Sequence, residues 1–362
     1  IQEQIFPSPL FHGHHVKLVD GTGISVPDTP QLRKAFPLHP KAGKASGFPA
    51  FKLLGLFDLI SGMLLEWATG NIIDSDSELF RLLWPHLQIG DLIVGDRHFC
   101  GFAYFVFLLE RNVQTMTRKH QHRKHQRTVK CLGKDDLIVE WAKPEKPPKW
   151  LDLEEWDRFP EALRVREISF NVRPKGFRTN HITIVTTLLD EAIPAKEWAE
   201  LYFYRWKIEL NFRDIKITMG MDMLKGKTLD MVEKEVRLYF IAYNLIRLVM
   251  KKAAENNSAD LAKIGFKATT KAILIWGPIL GRASGSGEYA RIFQEFLTTI
   301  AYPRCRNRKN RCEPRARRRR WKNYQLLSGD RHQFKEIPHR NKYKKVCMYL
   351  LQYLCHYESL NQ

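Results

Sequence analysis

The chain has 362 residues, of which 44% are hydrophobic and 12% aromatic, enough apolar surface for a core, which excludes a wholly disordered protein. At about 150 residues per domain, the length allows two domains. Lysine and arginine number 59 against 39 acidic residues, giving a net charge of +20. The longest apolar run, residues 102–109, is too short to cross a bilayer. We therefore expect a globular, basic protein with no membrane span.

Cysteine usage indicates the compartment. The six cysteines are scattered along the chain and no signal peptide precedes them, a distribution typical of a reducing compartment rather than of a disulfide framework. The sequence therefore predicts a cytoplasmic protein.

The first 70 residues predict three strands. Residues 16–19 form a strand that ends at Asp20, where the sequence Asp-Gly-Thr-Gly indicates a turn. Residues 51–59 and 63–70 are two further strands, separated by the short segment Ile-Ser-Gly. Such spacing predicts an antiparallel hairpin.

The next segments alternate between helix and strand. Acidic capping residues from Asp74 onward start a helix, and the apolar sequence Asp-Leu-Ile-Val-Gly that follows predicts a buried strand ending at Asp96. Residues 102–110 form a further helix and residues 113–117 a strand. This order predicts a mixed α/β sheet flanked by helices, in which two strands end in carboxylates.

Beyond residue 119 the pattern changes. Residues 120–192 hold a histidine-rich and basic stretch, a proline- and lysine-rich stretch and the β-branched run 182–189, which together predict an inserted, strand-rich subdomain. Pro194 then opens a long helix to about Met219. A second helix, residues 230–255, carries apolar residues nearly all round and is predicted to be buried.

The helix from Pro194 has two adjacent faces at 100° per residue. The core-facing stripe comprises Leu201, Tyr204, Ile208, Phe212 and Ile215. The second, polar stripe comprises Tyr202, Arg205, Glu209 and Lys216. Read alone, Arg205 and Glu209 are an ordinary surface pair worth about 0.2–0.5 kcal/mol.

The two strand-end aspartates change that interpretation, because Asp20, Asp96 and Glu209 could converge. Three carboxylates in one pocket do not all stay ionised without a counter-charge, and oxygen-only ligands favour Mg²⁺ or Mn²⁺. Two such ions can stabilise the attacking and leaving oxygens of a phosphoryl displacement. Arg205 and Lys216 are then candidates for binding phosphates, with Tyr202 close by.

Most of the positive charge lies near the C-terminus. Residues 303–345 hold 17 lysines and arginines against three acidic residues, a net charge of +14. The densest part is Arg317, Arg318, Arg319 and Arg320. Arginine forks match phosphate geometry, so this region predicts salt-dependent, largely sequence-independent binding to nucleic acid.

These motifs resemble those of a known family. The arrangement Tyr202-x2-Arg205-x3-Glu209-x6-Lys216 is similar to the Tyr-Arg-Glu-Lys motif of bacterial DDE transposases of the insertion sequence 4 family. The segments Val-Asp-Gly-Thr-Gly around Asp20 and Val-Gly-Asp-Arg-His-Phe around Asp96 resemble the two aspartate segments of that family.

The resemblance implies a ribonuclease H-like core and cut-and-paste DNA transposition. Asp20, Asp96 and Glu209 would hold two Mg²⁺ or Mn²⁺ ions, while Tyr202, Arg205 and Lys216 would position DNA and Trp206 would stack on a base. The implied partners are the terminal inverted repeats and target DNA, bound by a homodimer in the bacterial nucleoid.

The domain boundaries follow from these segments. Residues 1–119 form the first part of the catalytic core, residues 120–192 the insertion and residues 193–300 the core helices with the glutamate motif. Residues 301–362 form a basic C-terminal region.

Two alternatives stay open at this stage. Members of the family usually carry a helical region before the first aspartate, whereas only 19 residues precede Asp20. The chain could thus be an inactive or truncated remnant that only binds DNA. A nuclease on the same core that is indifferent to end sequence is the other alternative.

Overall fold

The computed structural model describes residues 10–36, 40–41, 44–45, 48–121, 123, 127–171 and 181–302. The chain divides into two units, residues 1–37 with 48–321 and residues 38–47 with 322–362. In the second unit the described residues are the short strands β2 (Pro40–Lys41) and β3 (Lys44–Ala45), which pair in antiparallel fashion.

The other strands belong to the first unit: β1 (His15–Ser25), β4 (Ala50–Asp58), β5 (Leu64–Asn71), β6 (Asp91–Gly95), β7 (Gln114–Arg118), β8 (Arg127–Gly133), β9 (Asp136–Ala142), β10 (Ala162–Asn171) and β11 (His181–Thr186). Its α-helices are α1 (Pro30–Ala35), α2 (Asp76–Arg81), α3 (Phe102–Glu110), α4 (Leu153–Asp157), α5 (Ala195–Phe203), α6 (Lys207–Arg213), α7 (Leu229–Asn256), α8 (Phe266–Leu280) and α9 (Ser286–Ala301).

These strands form one nine-stranded mixed sheet in the order β5-β4-β1-β6-β7-β11-β10-β9-β8. The pairs β5–β4 and β4–β1 are antiparallel, whereas β1–β6 and β6–β7 are parallel. Three antiparallel strands continued by two parallel ones are the arrangement of a ribonuclease H-like core, so the predicted fold class is confirmed.

The strands between residues 120 and 192 continue this sheet. β11 pairs antiparallel with β7, and β10, β9 and β8 follow in antiparallel order. The predicted strand-rich character of this segment is therefore present, and its strands lengthen the sheet of the core. The domain boundaries drawn from the sequence stay a prediction.

Helices cover both faces of the sheet, which explains why all five residues of β6 are buried. One face packs against α5, α6 and α7 through a core that includes Leu18, Val94, Trp198 and Ile208. The opposite face packs against α2 and α3 through a second, aromatic-rich core. The candidate site lies where the first of these layers meets the strand ends.

The long helix predicted after Pro194 is a continuous helical segment with two irregular turns. α5 passes into a 3₁₀ turn at Tyr204–Trp206, and α6 passes into a π-helical turn at Asp214–Thr218. Pro194 caps the segment instead of occupying its first turn. We call residues 195–218 the motif segment.

The 3₁₀ turn corrects one of the predicted core positions. Leu201, Ile208, Phe212 and Ile215 are buried as predicted, but Tyr204 is 52% exposed. A 3₁₀ turn advances 120° per residue rather than 100°, so the phase of the apolar stripe changes at Tyr204. The prediction for this residue was therefore wrong.

α7 confirms a predicted helix and corrects its predicted environment. Its buried face includes Val232, Val236 and Phe240, whereas the opposite face exposes Leu238 and Ile241 to solvent. The prediction of burial all round was wrong, because only one side of the helix packs on the sheet. No helix in the described part of the chain is long and apolar enough for a membrane span.

Packing in the motif segment gives the first testable prediction. Ile208 is fully buried, whereas Ile217 is 64% exposed. We expect Ile208→Ala to lower the free energy of unfolding by about 2–5 kcal/mol through lost burial and a residual cavity, and Ile217→Ala by less than about 1 kcal/mol. Urea denaturation of the two variants measures the difference. Equal losses would contradict the packing described here.

Candidate active site

Asp20 lies inside strand β1, not at its end. The strand continues to Ser25 because residues Lys17–Ser25 pair with β4 without interruption. The parallel pairing with β6, in contrast, ends at Leu18 opposite Val94. The predicted turn at Asp20 was therefore wrong, although Asp20 does lie at the point where β1 leaves its parallel neighbour.

Asp96 directly follows β6 and lies beside Asp20. Asp20 and Asp96 each lie two residues beyond Leu18 and Val94, the last pair of the parallel register. The charge of Asp96 contributes to raising the pKa of Asp20, so the two side chains are near each other. Leu18 and Val94 share one core, and residues two positions further along a strand point to the same face. Both carboxylates therefore point toward the motif segment.

Each aspartate has local hydrogen bonds that orient it. The backbone N–H of Gly21 donates to Asp20 Oδ1 at 2.8 Å. Asp96 caps the 3₁₀ turn Arg97–Phe99, with the N–H of His98 donating to Oδ1 at 2.8 Å and the His98 ring 2.8 Å from Oδ2. Neither aspartate is fully enclosed, since 21% and 29% of their side chains are exposed.

The ionisation of Asp20 is strongly perturbed. Burial raises its pKa to about 6; the Gly21 N–H and the Arg205 charge oppose this shift, while the charges of Asp96 and Asp76 add to it. Burial disfavours the ionised form of this carboxyl group, so a cation placed beside it would stabilise the carboxylate.

Arg205 supplies part of that charge and links Asp20 to the third acid. Its Nη1 is 3.7 Å from Asp20 Oδ2, and its Nη2 is 3.3 Å from Glu209 Oε1. The arginine side chain is 12% exposed and Glu209 is 44% exposed. The guanidinium therefore lies between the carboxylate on β1 and the carboxylate on α6.

This arrangement can be tested for its fit to a metal ion. No group of three or more histidines, cysteines or acids is close enough to hold a cation within the described ranges. The donor chemistry nevertheless fits a hard divalent ion: two aspartates occupy adjacent strand positions, one has a raised pKa, and a cationic group already occupies the space toward Glu209. Asp96 is near enough for its charge to affect the pKa of Asp20, and Arg205 bridges Asp20 and Glu209.

Two aromatic residues flank the guanidinium. Tyr202 was expected on the polar face, but its side chain is 93% buried and belongs to the core. The phenol group still lies close to the charged residues of the site: burial raises its pKa, whereas the charges of Arg205 and Arg118 lower it. Trp206 is 46% exposed, and the Arg205 guanidinium carbon lies 5.6 Å from its ring centroid. Trp206 is thus open to solvent and a ligand.

Lys216 points to β1 rather than to the aspartates. Its Nζ donates to Thr22 Oγ1 at 3.0 Å and to the carbonyl of Gly23 at 2.8 Å. Tyr202 and Glu209 both contact Arg205, which in turn contacts Asp20. Lys216 contacts the same strand two and three residues beyond Asp20. Arg317, Arg318, Arg319 and Arg320 lie outside the described residues.

The structure adds charged residues that the sequence did not single out. Arg118 ends β7, next to the β6 end that carries Asp96, and the nearby charges of Arg97 and Arg205 add to burial in lowering its pKa. The sequence did contain a signal for Arg118, because this basic residue is the last residue of β7, the parallel neighbour of β6. Arg97, which follows Asp96, donates to Gln121 at 3.3 Å.

Asp76 is a further acid beside Asp20. A Cβ atom built on Gly21 would lie 2.9 Å from Asp76 Oδ1, and Lys52 pairs with this carboxylate at 2.9 Å. Asp76 lies in the first turn of α2. From the sequence it is therefore interpreted as a helix-capping residue, and its position next to β1 is not predicted. Glycine at position 21 therefore allows α2 to approach β1 closely.

Comparison with known proteins places these residues in a family. Residues 12–245 match the family model of the transposase DDE domain. The chain is 30% identical over 260 residues to transposase InsG for insertion sequence element IS4 of Escherichia coli (strain K12), an alignment covering 69% of this chain and 55% of the relative. The chain thus spans about half the length of that relative.

A solved structure is also similar. The chain matches the cryo-EM structure of the piggyBac transposase synaptic complex with hairpin DNA with a TM-score of 0.44 and 9% sequence identity, over 79% of this chain and 57% of that one. The family model covers more than half of the present sequence and includes Asp20, Asp96 and Glu209. The protein therefore belongs to the family of transposases with a DDE domain.

Proposed function

We propose that the protein catalyses cut-and-paste DNA transposition, by metal-dependent phosphodiester cleavage at transposon ends followed by strand transfer. The observation that carries this proposal is that Asp20 lies within the electrostatic reach of Asp96, just beyond the parallel pairing of β1 with β6, while Arg205 contacts both Asp20 and Glu209. Family membership and the name of the relative support the same reaction class.

In this proposal Asp20, Asp96 and Glu209 hold two Mg²⁺ or Mn²⁺ ions. Bound there, the ions would supply positive charge to the attacking and leaving oxygens of the phosphodiester. Because Arg205 now occupies the space between Asp20 and Glu209, its guanidinium would turn outward when Glu209 joins the aspartates. A guanidinium released in this way can pair with a DNA phosphate through two parallel hydrogen bonds.

DNA would lie over the open side of this cluster. Trp206 offers an exposed ring for base stacking, and Tyr202 lies behind Arg205 and supports it. Arg118 and Arg97 add positive charge at the ends of β7 and β6, where phosphates next to the cleaved bond would lie. The substrates proposed are the terminal inverted repeats and target DNA.

The proposal extends to the partner and the compartment. Joining two transposon ends requires two active sites, so we propose a homodimer assembled on DNA, acting in the bacterial cytoplasm at the nucleoid. Arg317, Arg318, Arg319 and Arg320 would hold the backbone of the DNA without reading its sequence.

The carboxylates provide the first test. We expect Asp20→Asn, Asp96→Asn and Glu209→Gln each to lower Mn²⁺-dependent cleavage of DNA carrying the inverted repeats by more than about 100-fold, because each removes an anionic oxygen donor. Glu200→Gln is the matched control: this exposed glutamate pairs with Lys196 at 3.9 Å and should retain full activity. Undiminished cleavage by Glu209→Gln would overturn the mechanism. Absence of cleavage by the unchanged chain, with DNA binding intact, would favour the DNA-binding remnant.

The raised pKa of Asp20 predicts how metal binding depends on pH. Protons compete with the metal for this carboxylate, so affinity should be nearly constant above pH 7 and fall about tenfold between pH 7 and pH 5, on passing through the pKa of about 6. Titration with Mn²⁺ followed by electron paramagnetic resonance measures this dependence. The Asp20→Asn variant should bind more weakly and lose this part of the pH dependence. A midpoint near pH 4 would contradict the assigned role of Asp20.

The arginine cluster predicts a salt dependence. Replacement of the four arginines 317–320 by glutamine should reduce the slope of log affinity against log salt by about three to four, because each phosphate contact contributes about 0.9. Fluorescence anisotropy with duplexes of unrelated sequence measures the slope. An unchanged slope would show that these arginines do not contact the backbone.

A further inference from the structure

Strand β1 has an open edge next to Asp20. β4 pairs with β1 as far as Ser25, but β6 pairs with it only as far as Leu18. Within the described part of the chain, residues 19–25 therefore have a strand partner on one side only. An edge without a partner strand presents unpaired backbone N–H and C=O groups.

The composition of this half of the strand weakens it further. Gly21 and Gly23 follow Asp20 closely, and glycine lowers the stability of a strand because it loses the most backbone entropy on folding. A Cβ atom at Gly21 would lie 2.9 Å from the Asp76 carboxylate and one at Gly23 would lie 3.2 Å from the Ile72 side chain, so either substitution would require these side chains to shift. The segment that carries Asp20 thus needs support from outside the sheet.

Lys216 contacts the chain at this place. Its ammonium group donates to the carbonyl of Gly23 at 2.8 Å and to the hydroxyl of Thr22 at 3.0 Å. No ion pair to Lys216 occurs among the residues that the structure describes; burial lowers its pKa, and the charge of Asp222 opposes this shift. The ammonium group of Lys216 is partly removed from water, so losing its hydrogen bonds to Thr22 and Gly23 would be costly. These two hydrogen bonds therefore hold the lysine side chain against β1.

We propose that Lys216 is a positioning residue that supports the open edge of β1 in place of a neighbouring strand and thereby fixes Asp20 opposite Asp96. This assignment differs from the phosphate-binding role that the motif resemblance implies for Lys216. Its consequence for catalysis rests on the function proposed above, whereas the support itself does not.

The other end of this support is also fixed. Lys216 lies in the π-helical turn Asp214–Thr218, and Arg247 of α7 holds the start of that turn. Arg247 Nη2 donates to Asn211 Oδ1 at 2.6 Å and lies 3.6 Å from Asp214 Oδ2. Asn211 and Asp214 are 97% and 94% buried, so the motif segment has little freedom here. The backbone of Lys216 therefore belongs to a well-packed turn, and its side chain contacts the half of β1 that lacks a second strand partner.

Hydrogen exchange of the metal-free and DNA-free protein tests the support directly. We expect Lys216→Met to accelerate exchange of the backbone amides of residues 21–25 by at least about tenfold, because opening of this edge becomes easier. Lys216→Arg should restore most of the protection, since it keeps a charged donor. Lys227→Met is the matched control: this exposed lysine contributes one charge and should leave β1 unchanged. Exchange in Lys216→Met equal to that of the unchanged chain would overturn the proposal.

DNA binding separates the two roles of Lys216. A positioning residue predicts that the slope of log affinity against log salt is the same in Lys216→Met and in the unchanged chain. A phosphate contact predicts a loss of about 0.9 from that slope, and this loss combined with unchanged exchange would assign Lys216 to DNA. Failure of DNA cleavage would refute the proposed function but leave the exchange result interpretable.

A second variant covers the case in which Lys216→Met does not fold. Thr22→Val removes one of the two acceptors, keeps a β-branched side chain suited to a strand, and changes no charge. We expect a smaller acceleration of exchange in residues 21–25, with no change in the salt dependence of DNA binding. Unchanged exchange in Thr22→Val, with unfolding of Lys216→Met, would count against the proposal.

Discussion

The parallel register between β1 and β6 determines the geometry of the candidate site. Leu18 pairs with Val94 as the last pair of that register, and Asp20 and Asp96 each lie two residues further along their strands. A shift by one residue would turn one carboxylate toward the opposite layer, where the aromatic-rich core has no place for a charge. The site therefore depends on the same apolar pairs that hold the centre of the sheet together.

Placing two carboxylates side by side has an electrostatic cost, and the surroundings reduce it. Burial and the neighbouring charges raise the pKa of Asp20, while Arg205 lies 3.7 Å away and also contacts Glu209. The acids Asp20, Asp96 and Glu209 are interleaved with the basic residues Arg205, Arg118 and Arg97. Divalent cations would reduce the repulsion between the three carboxylates and a phosphodiester, which is the electrostatic basis of the proposed metal dependence.

The helical layer holds the site against the sheet through a polar network. Tyr243 of α7 donates to the carbonyl of Gly62 at 2.6 Å, and Asn244 exchanges two hydrogen bonds with the backbone of Leu64. Arg247, one turn further on, contacts Asn211 in the motif segment. One helix thus connects the β4–β5 hairpin to the segment that carries Arg205 and Lys216. Breaking one of these buried hydrogen bonds would leave a polar group without a partner, which is costly. We therefore expect α7, the β4–β5 hairpin and the motif segment to move together.

The sequence by itself determined the mixed sheet, the β4–β5 hairpin, the strand that precedes Asp96 and the helical segment with Arg205 and Glu209, because hydrophobic periodicity and turn residues are local signals. It could not locate the end of β1, since a strand through Asp20 and two glycines is stable only when β4 pairs with it. The exposure of Tyr204, the approach of Asp76 and the direction of Lys216 were likewise decided by the tertiary structure. These features depend on helix phase and on contacts between residues distant in the chain, which no local pattern encodes.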